Sequence, residues 1–193
     1  GKAAKENIVK NSGESYTELS KIQDWRAKLC NTYETPFELD GQMWSSVEHY
    51  IIASKYRNQE SQELKAALIS SYKKALEIDK KKKFEKLKLT VDSDYESRKK
   101  TDEYNALYEK FSQDTTLDLE RILFLTIPAK LMYRPSSQVV EDYDVLMWLR
   151  HQMTSYLRYK YGRPGAALPQ KEPVKRQPKN KALLEKISAV EID

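Results

Sequence analysis

The sequence predicts a mainly α-helical domain, and three observations carry that prediction. Between residues 16 and 161, apolar side chains recur three, four and seven positions apart, the spacing of a buried helix face. Only one stretch, 35–41, alternates in the manner of a strand. Beyond Gly162 the periodic pattern gives way to prolines and basic residues.

The elements follow in order. Residues 1–15, polar and rich in Lys, Asn and Ser, predict a flexible leader. Leu19, Ile22, Trp25 and Leu29 share a face and predict a helix near 16–28. Thr35 to Gly41 predicts an extended segment closing in a tight Asp40-Gly41 turn, and thus at most a short β-hairpin. Ser45, with Glu48 three residues later, forms a candidate capping box for a helix carrying Val47, Tyr50 and Ile51. Leu64, Ala67, Leu68, Tyr72, Ala75 and Leu76 predict one helix over 60–78. Tyr104, Leu107, Tyr108 and Phe111 predict a helix over 97–113, the clearest amphipathic pattern in the chain. Asp114 or Thr116 caps the next, 117–126, with Leu119, Ile122, Leu123 and Thr126 inward and Pro128 beyond its end. Val139, Tyr143, Leu146, Met153 and Leu157 predict a long helix from about 138 to 161, stopped by Gly162 and Pro164. One domain over 16–161 is therefore expected, followed by a Pro/basic linker over 162–180 and a short amphipathic helix over 181–193. That last helix is too short to be stable alone and is expected to dock on its own domain or on a protein partner.

Composition narrows the function classes. A chain of 193 residues, 39% hydrophobic and 33% charged, describes a globular protein with a polar surface. The longest apolar run, Ile122 to Ile127, falls far short of the roughly 20 residues that span a bilayer, so no membrane role is expected. The residues after Gly1 show no apolar signal core, and the single Cys30 cannot form an internal disulfide; both favour an intracellular location, cytoplasmic or nuclear. Cys30 with only His49 and His151 is too little for structural zinc, so no metal is expected. Of the net charge of +5, residues 162–193 carry +3, from seven Lys/Arg against four Asp/Glu. This excess and the Lys80–Lys83 run allow nucleic acid as a partner without requiring it. Five glycines leave little room for a phosphate loop.

The chemistry concentrates between Leu29 and Tyr56. An extended segment and turn lead into a helix whose first turn displays Glu48, His49 and Tyr50. The N–H groups at such a helix start favour anions, and a carboxylate there can stabilise positive charge as a glycosidic bond breaks. Glu48 has two readings from spacing: the N3 partner of Ser45, or an acid facing a ligand.

Leu29 and Asn31, then Pro36, Phe37, Asp40 and Gly41, then Trp44, Val47, Glu48, His49, Tyr50 and Lys55 resemble the NADAR family pattern LSN…PFxxDG…WxxVEHYxxxxKF. Cys30 stands for its Ser and Tyr56 for its Phe. Lys110 to Gln113 with Leu123 and Thr126 resemble the family's KFxQ…LLxT segment, and Leu146 to Arg150 its LMxxR helix. Asp94-Tyr95-Glu96 stands where the family has a tryptophan after Pro-Asp. The resemblance covers about 25–150 and implies a helical fold that cleaves N-glycosidic bonds without cofactor or metal. It makes Glu48 the catalytic acid, with Asn31, Trp44, His49 and Lys55 toward the substrate: Asn31 on a ribose hydroxyl, Lys55 on phosphate, Trp44 with one face on the pocket. His49 is equally a packed, hydrogen-bonded residue, and Lys55 equally a surface lysine.

The family's Asp…Trp-Gly…Asn-x-Leu-Gly loop has no counterpart. Only Leu131 to Val145 fill its place, with no Gly, Trp or Asn, and Asp142 or Asp144 is the possible replacement acid. Two functions therefore stand: a divergent N-glycosidase binding or cleaving a phosphoribosyl or ADP-ribosyl compound, and a catalytically degenerate fold serving as an interaction module in a larger protein or nucleic-acid assembly. The family occurs in bacteria, eukaryotes and large DNA viruses, which leaves a viral origin open.

Overall fold

In the computed structural model, which describes residues 13–133 and 140–162, the apolar stripes become eight helices: α1 (Gly13–Ser20), α2 (Trp25–Lys28), α3 (Val47–Ser54), α4 (Gln62–Ser70), α5 (Tyr72–Lys81), α6 (Tyr95–Ser112), α7 (Asp118–Leu125) and α8 (Asp144–Tyr161). The fold is mainly α, as expected. The predicted linker beyond 162 and the helix over 181–193 lie outside the described residues, as does most of the leader. No described helix is long and apolar enough to cross a membrane.

Strands β1 (Phe37–Leu39) and β2 (Gln42–Trp44) form the predicted hairpin, with Leu39 opposite Gln42. Asp40 (φ 56°) and Gly41 (φ 75°) both take the left-handed conformation that a two-residue type I′ turn requires, which is why Asp-Gly stands there. Two further antiparallel pairs were not foreseen: β3 (Lys83–Phe84) with β4 (Leu87–Lys88), and β5 (Met132–Tyr133) with β6 (Glu141–Asp142).

Three expected helices are corrected. The one over 16–28 is interrupted after Ser20, and Asp24 enters α2 in a left-handed conformation (φ 54°). Leu19, Ile22, Trp25 and Leu29 are nevertheless all buried, so the apolar stripe is met by two short pieces. The one over 60–78 breaks at Ser71, whose backbone is extended (φ −163°, ψ 156°) and whose hydroxyl accepts from Lys74 N–H at 3.1 Å. Serine competes for backbone groups in this way at helix starts. The last helix starts at Asp144, because 141–142 pair in the β5–β6 hairpin.

The chain divides into two units, 31–113 and the described residues on either side of it. In the first, α3 packs against α5 and α6, and Ile52, Tyr56, Leu64, Leu68, Ala75, Ile78 and Leu89 form one buried cluster. In the second, α7 packs against α8 and α1, with Leu123, Leu146, Leu149 and Leu157 fully buried. There Arg150 donates to the Thr126 carbonyl at 3.1 Å and Tyr143 to the Leu29 carbonyl at 3.1 Å.

Candidate functional site

The start of α3 is built by the hairpin before it. Trp44 Nε1 donates to the Leu39 carbonyl (2.9 Å), and Thr35 N–H donates to the Ser45 carbonyl (2.9 Å), fixing the approach of the chain. Ser46, not Ser45, caps the helix: its Oγ accepts from His49 N–H at 3.2 Å. Ser45 is diverted because its N–H and Oγ both lie 3.2 Å from His49 Nδ1. His49 Nε2 lies 2.8 Å from the Leu68 carbonyl. The ring therefore donates from Nε2 and accepts at Nδ1, and burial lowers its pKa against the raising effect of the Leu68 bond. Both His49 nitrogens are thus spent on protein, although its ring edge lines a cleft with Trp44, Ser45 and Tyr72.

This cap moves Glu48 from the third helical position to the second and removes it from the capping box. Its N–H donates to the Asn31 carbonyl at 2.9 Å. Its half-buried carboxylate accepts no hydrogen bond and joins no ion pair among the described residues. Burial raises its pKa, the Lys55 charge pulls it down, and the Asp79 charge pushes it up. The carboxylate is therefore not consumed by structure, in contrast to most half-buried acids.

Around it stand groups from three segments. Asn31 Nδ2 donates to Glu103 Oε2 of α6 at 2.7 Å. Lys55 Nζ meets Asp79 Oδ2 of α5 at 3.1 Å, and Asp79 Oδ1 also accepts from Tyr56 (2.5 Å) and Lys82 (2.8 Å). Burial alone would raise the Asp79 pKa, but its bonds to Lys82, Tyr56 and Lys55 outweigh that and lower it. Tyr95 is buried, and its pKa is pushed up to about 12 by burial first and then by Asp102, Glu103 and Glu48. Tyr72 is raised by burial and by Glu48. A phenol with so high a pKa remains a hydrogen-bond donor at any physiological pH.

Of the residues singled out from sequence, Glu48, Asn31, Trp44, His49 and Lys55 all lie in the 31–113 unit. Glu48 is joined to Asn31 through the backbone and feels the Lys55 charge, while Trp44 packs edge-on against His49. Asp142 belongs to the other unit, is exposed, and pairs with Lys130 at 3.1 Å. Asp79, Glu103, Tyr72 and Tyr95 are the additions sequence reasoning did not assign. Among them only Tyr95 carried a signal, its place beside Asp94. Among the described residues no group of three or more His, Cys, Asp or Glu is arranged to hold a metal.

Among the clefts of this unit are two beside α3. One, of about 450 Å³, lies at the start of α3. The other, of about 680 Å³, runs beside Trp44, Tyr50 and Arg57. Glu48 lines neither.

No family model matches the sequence, and no curated protein matches it. Among solved structures, the E. coli protein YbiA, determined by NMR, is similar: 21% identity, 77% of this chain and 86% of that chain covered, TM-score 0.55. At that identity the likeness establishes the fold, which is NADAR-like.

Proposed function

We propose, on the premise of a NADAR-like fold, that the domain binds a phosphoribosyl or ADP-ribosyl compound at Glu48 and hydrolyses its N-glycosidic bond. The observation that carries this reading is the half-buried Glu48 carboxylate at a helix start, with no hydrogen bond or ion pair among the described residues. The bond from the ribose anomeric carbon to the base nitrogen breaks with its electron pair passing to nitrogen. Positive charge then develops on the sugar, where the carboxylate stabilises it. As water oxygen bonds to the anomeric carbon, Glu48 takes the water proton and passes it to the departing base. Asn31, held by Glu103, offers its side chain to a ribose hydroxyl. Lys55 meets phosphate by sharing its ammonium with Asp79.

Glu48→Gln is the test. Release of base from a panel of phosphoribosyl and ADP-ribosyl compounds is expected to fall by about 10²–10⁴-fold. Equal rates in the two proteins would remove Glu48 from the mechanism. The same substitution is expected to stabilise the fold by up to ~1 kcal/mol near neutral pH, since it deletes a half-buried charge that has no hydrogen bond or ion pair among the described residues. The sign follows from the raised pKa: the folded state binds a proton more tightly than the unfolded chain, so wild-type stability recovers as pH falls through the folded pKa toward 4.5. The advantage of the Gln variant should therefore close in acid, as thermal melts at several pH values will register.

One observation favours the degenerate interaction module instead, namely that Asp142 is paired with Lys130. That reading predicts no base release and no thermal shift with millimolar ADP-ribose or NAD.

A further inference from the structure

Nine consecutive residues, 80–88, hold six lysines against one acid, a net of +5 that equals the formal charge of the whole chain. The 31–113 unit to which they belong is otherwise acidic. Its fifteen Lys/Arg and fifteen Asp/Glu cancel, so everything in it outside 80–88 sums to −5.

The fold fixes this charge on a hairpin. Lys80 and Lys81 end α5, and β3 pairs with β4 across a turn at Glu85 (φ 54°) and Lys86. Leu89 N–H donates to the Lys82 carbonyl at 2.9 Å, Leu89 enters the buried cluster of the unit, and Phe84 packs against that cluster. Lys81 pairs with Glu77 (3.2 Å) and Lys82 with Asp79 (2.8 Å). Lys80, Lys83, Lys86 and Lys88 are exposed and make no hydrogen bond or ion pair among the described residues. Blocks of like charge repel and stay solvated unless something holds them. Here the pairing register holds two of them together: Lys83 stands directly opposite Lys88. Side chains so placed start about 4.5–5.5 Å apart at Cβ, and like charges there destabilise the pair. A two-residue ladder has little pairing energy to set against that repulsion. Bound anions relieve it, because each ammonium then faces an opposite charge.

We propose that the β3–β4 hairpin, with Lys80 before it, docks the phosphate backbone of duplex nucleic acid without reading its sequence. A duplex carries one negative charge per about 1.7 Å of axis, and each phosphate met by a lysine releases condensed counterions. Lysine supplies point charges and lacks the planar fork that reads guanine edges. A single strand is held by stacking on aromatic faces. The one aromatic residue of the stretch, Phe84, is half-buried against the core. An anionic membrane requires an apolar face to insert, and the hairpin offers only Leu87, 44% exposed. Glu48 takes no part, so the inference does not rest on the glycosidase reading.

The test is fluorescence anisotropy of the full chain with a labelled duplex of about 20 base pairs and arbitrary sequence, at several salt concentrations. Four phosphate contacts give a log–log slope of association constant against salt of about −3.6 or steeper. Changing Lys80, Lys83, Lys86 and Lys88 together to Gln should make that slope shallower by about 3. Lys88→Glu should weaken binding at least about tenfold at about 0.1 M salt and raise the melting temperature, since it turns a like-charge pair into an opposite-charge one. A purely structural lysine would not move affinity and stability in opposite directions. Should the quadruple variant fail to fold by circular dichroism, Lys88→Glu decides alone. A slope unchanged in the quadruple variant would place duplex binding elsewhere on the chain and overturn the proposal. So would tighter binding to a single strand of equal length, or capture by phosphatidylserine vesicles without binding to the duplex. Glu48→Gln should leave duplex affinity intact, whatever it does to base release.

Discussion

Glu120→Ala is expected to cost about 3–5 kcal/mol of folding stability, the loss seen when one partner of a buried ion pair is removed. The Glu120 side chain is 1% exposed; it pairs with Lys160 Nζ, whose side chain is 11% exposed, and accepts from Tyr161 OH at 2.8 Å. Alanine leaves an ammonium and a phenol without their acceptor in a packed interior, beside the stacked Phe124 and Tyr161 rings (centroids 5.3 Å apart). Glu120→Gln keeps an acceptor for Tyr161 and should cost less. Replacing both charges together, Glu120→Leu with Lys160→Met, should recover most of the loss, because the desolvation of two ions is then avoided. Urea unfolding of the four proteins checks the order. A Glu120→Ala loss within about 0.5 kcal/mol, the range of a surface substitution, would contradict it.

Glu120 also marks a limit of what the sequence displays. Periodicity assigned Leu119, Ile122, Leu123 and Thr126 inward, and all four are buried. It left Glu120 unassigned, whereas α7 is buried nearly all round, Phe124 and Leu125 included. A one-dimensional pattern cannot tell a solvated acid from one met by a lysine forty residues away. The break at Ser71 was hidden for a related reason. Leu64 and Leu68 before it and Ala75 and Ile78 after it enter the same buried cluster, so the apolar stripe runs through the break unmarked. At the site, Glu48 was legible because its neighbours are neighbours in sequence. The cap register was one residue off because Ser45 and Ser46 are chemically equal candidates, and only the His49 ring, taking the Ser45 N–H, decides between them. Asp79 and Glu103 arrive from α5 and α6, where nothing local distinguishes them from surface acids.

Arg98→Met is expected to lower stability by a similar amount, about 3–5 kcal/mol, and to loosen the frame around Glu48. Arg98 Nη2 donates to Asp92 (2.8 Å) and to the Ser54 carbonyl (2.8 Å), and Nη1 donates to Asp102 (2.6 Å). Of the three carboxylates it meets, Asp94 is exposed but Asp92 and Asp102 are only 1% and 7% exposed, so methionine weakens the balance of two buried negative charges. Asp92 would keep Asn58 N–H (2.8 Å) and Gln59 Nε2 (3.0 Å), and Asp102 would keep Arg57 (3.2 Å), which holds the cost below that of two bare ions. Arg98→Lys should recover only part of the loss, since a point-charge ammonium cannot span three acceptors that a planar fork reaches together. The bond to Ser54, the last residue of α3, ties that helix to the start of α6, where Tyr95 also sits. Amide exchange should therefore accelerate first at 55–59 and 92–98 in the Met variant, before the 62–81 helices respond. Protection lost uniformly over residues 31–113, or a destabilisation below about 1 kcal/mol, would mean that Arg98 is not the clamp this geometry makes it.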